Sequence, residues 1–172
     1  MKYAKKKHSE QKVPSTNSNK LLHISNAAME VLMAYHYDNS FDINFAIQIA
    51  ILHDTIEDID TSFKDIKSEF REEIAKTVVA LTKIEQIPLK QDKMVDSLSR
   101  INKLQKEVGL VKIADRITNL QTPPSHCSHQ KIVNYCNEAK LISKTLSNKN
   151  DYLNKRLDLK IKEYEDLITK SQ

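Results

Sequence analysis

The chain predicts an all-α protein, and three observations carry that prediction. Its 172 residues include one glycine, four prolines and no tryptophan, with aromatics at only 6%. Long stretches are rich in Lys, Glu, Leu, Ile and Ala, a composition poor in sheet and hairpin formers. Apolar residues recur at three- and four-residue spacing in segment after segment, the period of a helix laid against a core. The length suits one domain over residues 1–172, long enough for a continuous core and short for two.

Taken in order, residues 2–12 predict a short basic helix, followed by a polar loop over 13–19 rich in turn formers. Leu21, Leu22, Ala28, Val31, Leu32 and Tyr35 place a stripe on a second helix over about 20–36, with His23 near its beginning. Asp42 is a capping residue for a third helix. In that helix Phe45, Ile49 and Leu52 line one face, and Ala46, Ile47 and Ala50 widen it until it is nearly all apolar, as a buried central helix requires. It delivers His53 and Asp54 at its end, where the sequence turns polar. Ser62 heads a short helix through Phe70, and 71–83 carries Ile74, Val78 and Leu81 on one face. A charged helix over about 89–106 follows the break at Ile87-Pro88. Gly109 precedes an apolar helix from Leu110 to Leu120 that Pro123-Pro124 terminates. Two amphipathic helices, about 128–147 and 150–169, complete a bundle of about eight or nine helices.

Charge and cysteine content narrow the function classes. The formal net charge is +4, with the excess in Lys2, Lys5, Lys6, Lys7 and Lys12. That balance tolerates an anionic ligand and is too weak for a nucleic-acid partner. No apolar run reaches signal-peptide or membrane-spanning length, so a cytoplasmic protein without membrane contact is expected. Cys127 and Cys136 make no CxxC and are read as reduced and structural. Nothing in the sequence sets the oligomeric state, which leaves a homo-oligomer open.

The chemistry lies in His23, His53, Asp54 and Asp115. Two imidazoles and two carboxylates on three separated stretches are a donor set for one hydrated divalent metal ion. A His-Asp pair closing an apolar helix, with a further Asp inside another, is hard to account for by packing, because buried charges need partners. Helical register puts Glu57 and Asp58 one turn beyond His53 and Asp54, where a carboxylate orients or deprotonates an attacking water. Lys112, Arg116 and Asn119 lie beside Asp115, placed for phosphate or sugar oxygens or, more simply, for hydrogen bonds to neighbouring helix ends. His8, His36, His126 and His129 lie outside this constellation, and His8 shares a basic helix with Gln11 and Lys12. The donor set alone leaves manganese, iron, zinc and magnesium open.

These residues carry a resemblance. The series His23, His53-Asp54, Asp115 resembles the metal signature of the HD superfamily. His53-Asp54-Thr55-Ile56-Glu57-Asp58, with Val111 to Leu120, is similar to the hydrolase domain of RelA/SpoT-type proteins and to the stand-alone small alarmone hydrolases of the Mesh type. The resemblance implies an HD-type helical bundle holding manganese through His23, His53, Asp54 and Asp115. It also implies Glu57 and Asp58 as catalytic residues positioning the nucleophilic water, and a small-molecule nucleotide as substrate. The implied reaction removes pyrophosphate from the 3′ position of guanosine tetra- or pentaphosphate, leaving GDP or GTP. Lys12, Lys112 and Asn119 match substrate-contacting positions, and Arg116 would help offset substrate charge. Members commonly carry Pro-Tyr before the first histidine and a proline after it, whereas this chain reads Asn19-Lys20-Leu21-Leu22-His23-Ile24. Ser also stands in the loop 14–17 where a glycine is frequent. Two alternatives remain: an HD phosphohydrolase for another phosphorylated nucleotide, such as a nucleoside monophosphate or a dinucleotide cofactor, and a non-catalytic nucleotide-binding module.

Overall fold

The computed structural model describes residues 20–58 and 61–170. The predicted first helix with His8 and Lys12, and the loop after it, lie outside the described residues, as does the side chain of Asp58. All regular structure among the described residues is helical. The order is α1 (Lys20–Tyr37), α2 (Ile43–Leu52), α3 (Thr55–Asp58), α4 (Phe63–Glu69), α5 (Glu72–Leu81), α6 (Lys90–Asn102), α7 (Lys106–Asn119), α8 (His129–Thr145) and α9 (Asp151–Lys170).

Helix α7 is the axis of the bundle, and α1, α2 and α9 all pack on it. Its side chains reach the core on more than one face: Val108, Leu110, Val111, Ile113, Ala114 and Ile117 are all buried. The burial extends to polar residues, because Glu107, Lys112, Asp115 and Arg116 on the same helix are also shielded from solvent. Each of these needs a partner inside the protein. Helix α2 is nearly as enclosed, with Phe45, Ala46, Ile49, Ala50 and Leu52 buried as the apolar pattern requires. Asp42 caps it by accepting from the Phe45 amide at 3.0 Å. The Asp42 amide in turn donates to Glu107 Oε1 at 2.8 Å, so the first turn of α2 is fastened to the first turn of α7.

Two interactions of different kinds act on α4 and α9. Ser62 and Asp65 form a reciprocal capping box at the start of α4. Arg156 on α9 grips both carboxylate oxygens of Glu30 on α1, at 2.5 and 2.6 Å. That planar fork orients α9 across α1.

Two expectations are corrected. Gly109 does not precede the apolar helix; α7 begins at Lys106 and carries Gly109 inside its first turns. A β-carbon at 109 would stand 2.7 Å from Cγ of Lys149, so the glycine allows the loop after α8 to lie close against α7. Nor does one helix run unbroken through His53 to Asp58. Helix α2 ends at Leu52, His53 and Asp54 form a turn, and α3 resumes at Thr55. The Thr55 hydroxyl donates to the Leu52 carbonyl at 2.7 Å, satisfying an acceptor that the break leaves open.

Candidate metal centre

The turn after α2 aims His53 and Asp54 toward α7, while α1 brings His23 from the opposite side. His23 Nε2 lies 3.2 Å from Asp115 Oδ1 and 3.7 Å from Asp54 Oδ2. His53 Nε2 lies 3.2 Å from Asp54 Oδ2 and 3.6 Å from Asp115 Oδ1. The four predicted ligand residues therefore converge, and His23, His53 and Asp54 present ligand atoms all within 4.8 Å of one another.

Both imidazoles are held through the nitrogen that faces away. His53 Nδ1 donates to the Ala50 carbonyl at 2.8 Å. The Thr118 hydroxyl donates to the Asp115 carbonyl at 2.9 Å and so accepts from His23 Nδ1, 3.3 Å away. Each ring thus presents Nε2 to the centre, the arrangement in which an outer hydrogen bond sets tautomer and orientation of a ligand histidine. His53 Nε2 is buried and has no hydrogen-bond partner. The nearby carboxylates are close enough to attract it and are not aligned to accept from it. An orphaned, buried imidazole nitrogen facing two carboxylates fits a divalent cation, which would take its lone pair.

The electrostatics agree with that fit. Burial opposes charge on His53, yet the Asp54 and Asp115 carboxylates raise its pKa to about 10. Burial alone would raise the carboxyl of Asp54, but the His53 imidazole beside it brings it well below the usual carboxylate range. Burial opposes ionisation of Asp115 in the same way, and Lys112 together with the two histidines drives it low. The centre attracts positive charge strongly.

The other predicted residues surround it. Lys112 Nζ meets Asp115 Oδ2 at 3.2 Å, and Asn119 Nδ2 donates to Asp115 Oδ1 at 2.6 Å. Both thus engage Asp115 as well as lining a cavity of about 370 Å³ that opens over the centre. Glu57 lines this cavity too, with Lys83 Nζ 3.5 Å from its Oε1. Arg116 is 4% exposed, lies 4.3 Å over the Tyr135 ring and reaches Glu138 at 3.3 Å, while its Nε and Nη1 have no partner. His53 sits beneath the cavity rather than in its wall.

Several wall residues went unread in the sequence. Lys20, Lys83, Lys131, Tyr135 and Glu138 line the cavity, and so does Cys127, which was read as structural. Thr118 was legible in principle, since it stands one turn from Asp115 on the face that meets α1.

The family model described as HD domain matches residues 1–152, most of the chain. The chain belongs to the HD domain family. This HD domain is 35% identical over 122 residues to the guanosine-3′,5′-bis(diphosphate) 3′-pyrophosphohydrolase of Aquifex aeolicus, a match covering 70% of the chain and 16% of that protein. It is 30% identical over 115 residues to the 3′-pyrophosphohydrolase MESH1 of Danio rerio, covering 64% of the chain and 63% of that protein. A GTP pyrophosphokinase rsh of Brucella suis is 33% identical over 136 residues, covering 76% of the chain and 17% of its own length. The HD domain thus spans less than two thirds of each of these relatives. Among solved structures, a metazoan ortholog of SpoT described as hydrolysing ppGpp shares the fold. Its TM-score is 0.79 at 23% identity, covering 94% of this chain and 91% of that one. No helix among the described residues is long and apolar enough to cross a membrane.

Proposed function

We propose that this HD domain, as one functional unit over residues 1–172, hydrolyses guanosine 3′,5′-bis(diphosphate) and its pentaphosphate analogue at the 3′-pyrophosphate. The products would be pyrophosphate and GDP or GTP, and the setting the cytoplasm, where guanine nucleotides are made and used. The observation that carries the reading is the orphaned His53 Nε2 facing Asp54 and Asp115 beneath a cavity walled by Lys83, Lys90, Lys112 and Arg116. A cation-binding floor beneath a cationic wall suits a multiply phosphorylated substrate. The names of the Aquifex and Danio relatives support the choice of nucleotide.

His23, His53, Asp54 and Asp115 would hold one divalent ion, for which manganese is our choice. When bound, such an ion lowers the pKa of a coordinated water and polarises a phosphoryl oxygen. Glu57 stands in the cavity wall with Lys83 Nζ 3.5 Å from its Oε1, a contact that directs the carboxylate. We assign it, with Asp58, to orienting the attacking water and taking its proton. The partnerless Nε and Nη1 of Arg116 would donate to phosphate oxygens, with Glu138 and the Tyr135 ring holding the guanidinium in place. Lys112 and Asn119 would divide their hydrogen bonds between Asp115 and the substrate, and Lys12 would add a further contact.

The test is incubation of purified protein and manganese with guanosine tetraphosphate, the products being separated by ion-exchange chromatography. Pyrophosphate and GDP are expected. Orthophosphate release from this or another nucleotide would move the reading to a different phosphohydrolase, and intact substrate after prolonged incubation would overturn it.

A further inference from the structure

Lys20 opens α1 one turn before His23, and its side chain has no role in the chemistry assigned above. It is 6% exposed, and its Nζ lies 2.5 Å from Asp54 Oδ2. That oxygen is the one that also faces His23 Nε2 at 3.7 Å and His53 Nε2 at 3.2 Å. Lys112 is placed differently, since it meets Asp115 at Oδ2, while Oδ1 is the oxygen that faces the imidazoles. Of the two lysines, only Lys20 pairs with an oxygen that looks into the centre. Burial of an ammonium depends on its anionic partner, and a small divalent cation needs the same lone pairs.

We propose that Lys20 is a built-in competitor for the divalent ion and sets how tightly the centre holds it. The ammonium and the ion claim one oxygen, and two cations that close repel each other. Ion binding therefore requires the Lys20–Asp54 pair to open, with the ammonium turning into the cavity it already lines. The consequence is a centre that exchanges its metal more readily than its four donors alone would allow.

The inference rests on the metal-centre reading, and its test contains no nucleotide, so failure of the hydrolysis experiment leaves it standing. Manganese chloride is titrated calorimetrically into metal-free wild type, Lys20→Met, which keeps the apolar stem and removes the charge, and Lys20→Arg, which keeps the charge. Lys20→Met is expected to bind manganese about tenfold more tightly than wild type, equal to about 1.4 kcal/mol. Lys20→Arg is expected to stay within about threefold of wild type, a shift of under about 0.7 kcal/mol. A lysine that merely supports the start of α1 predicts the opposite sign, and unchanged or weaker binding by Lys20→Met overturns the proposal. Circular dichroism first checks the helical content, and Lys20→Gln carries the same expectation should Lys20→Met lose it. Absence of manganese binding in every protein overturns both this proposal and the metal-centre reading beneath it.

Discussion

Thr118 offers the sharpest test of how the centre is held. Replacing it with valine keeps the branched shape and removes one hydroxyl. Two bonds go with it, the one accepted from His23 Nδ1 at 3.3 Å and the one donated to the Asp115 carbonyl at 2.9 Å. A net hydrogen bond contributes about 1 kcal/mol, and only the bond to His23 bears directly on a ligand. That is a factor of about five in metal affinity. Outer partners of ligand histidines usually cost ten- to a hundredfold, and the length of this bond places it at the weak end, so about five- to tenfold weaker manganese binding is expected. The other bond should lower the melting temperature by about 2–4 °C. Calorimetric titration and a thermal melt on the same samples measure both. Thr118→Ser, which keeps the hydroxyl, should bind metal as wild type does. Manganese affinity within twofold of wild type in Thr118→Val would refute the orienting role.

Other outcomes follow from the same geometry. Glu57→Gln and Asp58→Asn should each lower turnover by about 10²–10⁴-fold while leaving manganese affinity nearly intact, which a metal titration beside a pyrophosphate assay would show; a variant retaining full turnover removes its residue from the mechanism. Arg116→Leu should raise KM for guanosine tetraphosphate by about tenfold or more with a smaller effect on kcat, Glu138 still being paired to Lys90 at 2.8 Å; an unchanged KM would place Arg116 outside substrate binding. The metal-free protein should lose stability in alkali. His53 has its folded pKa raised from 6.5 to about 10, so its contribution is fully present below about 6.5 and disappears as pH rises through about 10. Asp54 and Asp115 are lowered, so theirs is present above the ordinary value of 3.8 and fades as pH falls beneath it. Denaturant midpoints in EDTA should therefore be highest between about pH 4 and 6.5, and a flat or rising profile from pH 7 to 10 would contradict the assignment. Ile49→Ala should cost about 2–5 kcal/mol, since Ile49 is fully buried in α2, and a denaturant curve shifted by less would show that the core relaxes around it.

What was legible in the sequence is what local pattern dictates. Helix α2 could be read from its cap to its polar end because Asp42 uses a local hydrogen bond and the apolar face repeats with the helical period. The convergence of His23, His53, Asp54 and Asp115 could be anticipated because few arrangements satisfy four polar residues set among apolar helices. Gly109 misled, since a lone glycine ordinarily marks a boundary. Its position inside α7 depends on Lys149, a residue distant in sequence. Glu107 went unread for the same reason, its partner being the Asp42 amide at the start of another helix. Lys20 and Thr118 were passed over because a lysine at a helix start and a threonine near a helix end are ordinary on local grounds. Only the packing of α1 on α7 gives them tasks.

The bond from Asp42 to Glu107 holds the starts of α2 and α7 together, and His53 lies against Asp115 toward their far ends, so the two helices run in the same direction, toward the centre. Their peptide dipoles are therefore aligned, and both carboxyl-terminal ends, at His53 and just beyond Asp115, bring partial negative charge to the same place. The backbone thus favours a cation there before any side chain contributes. Neutralising either Asp54 or Asp115 should therefore weaken the attraction for positive charge without abolishing it.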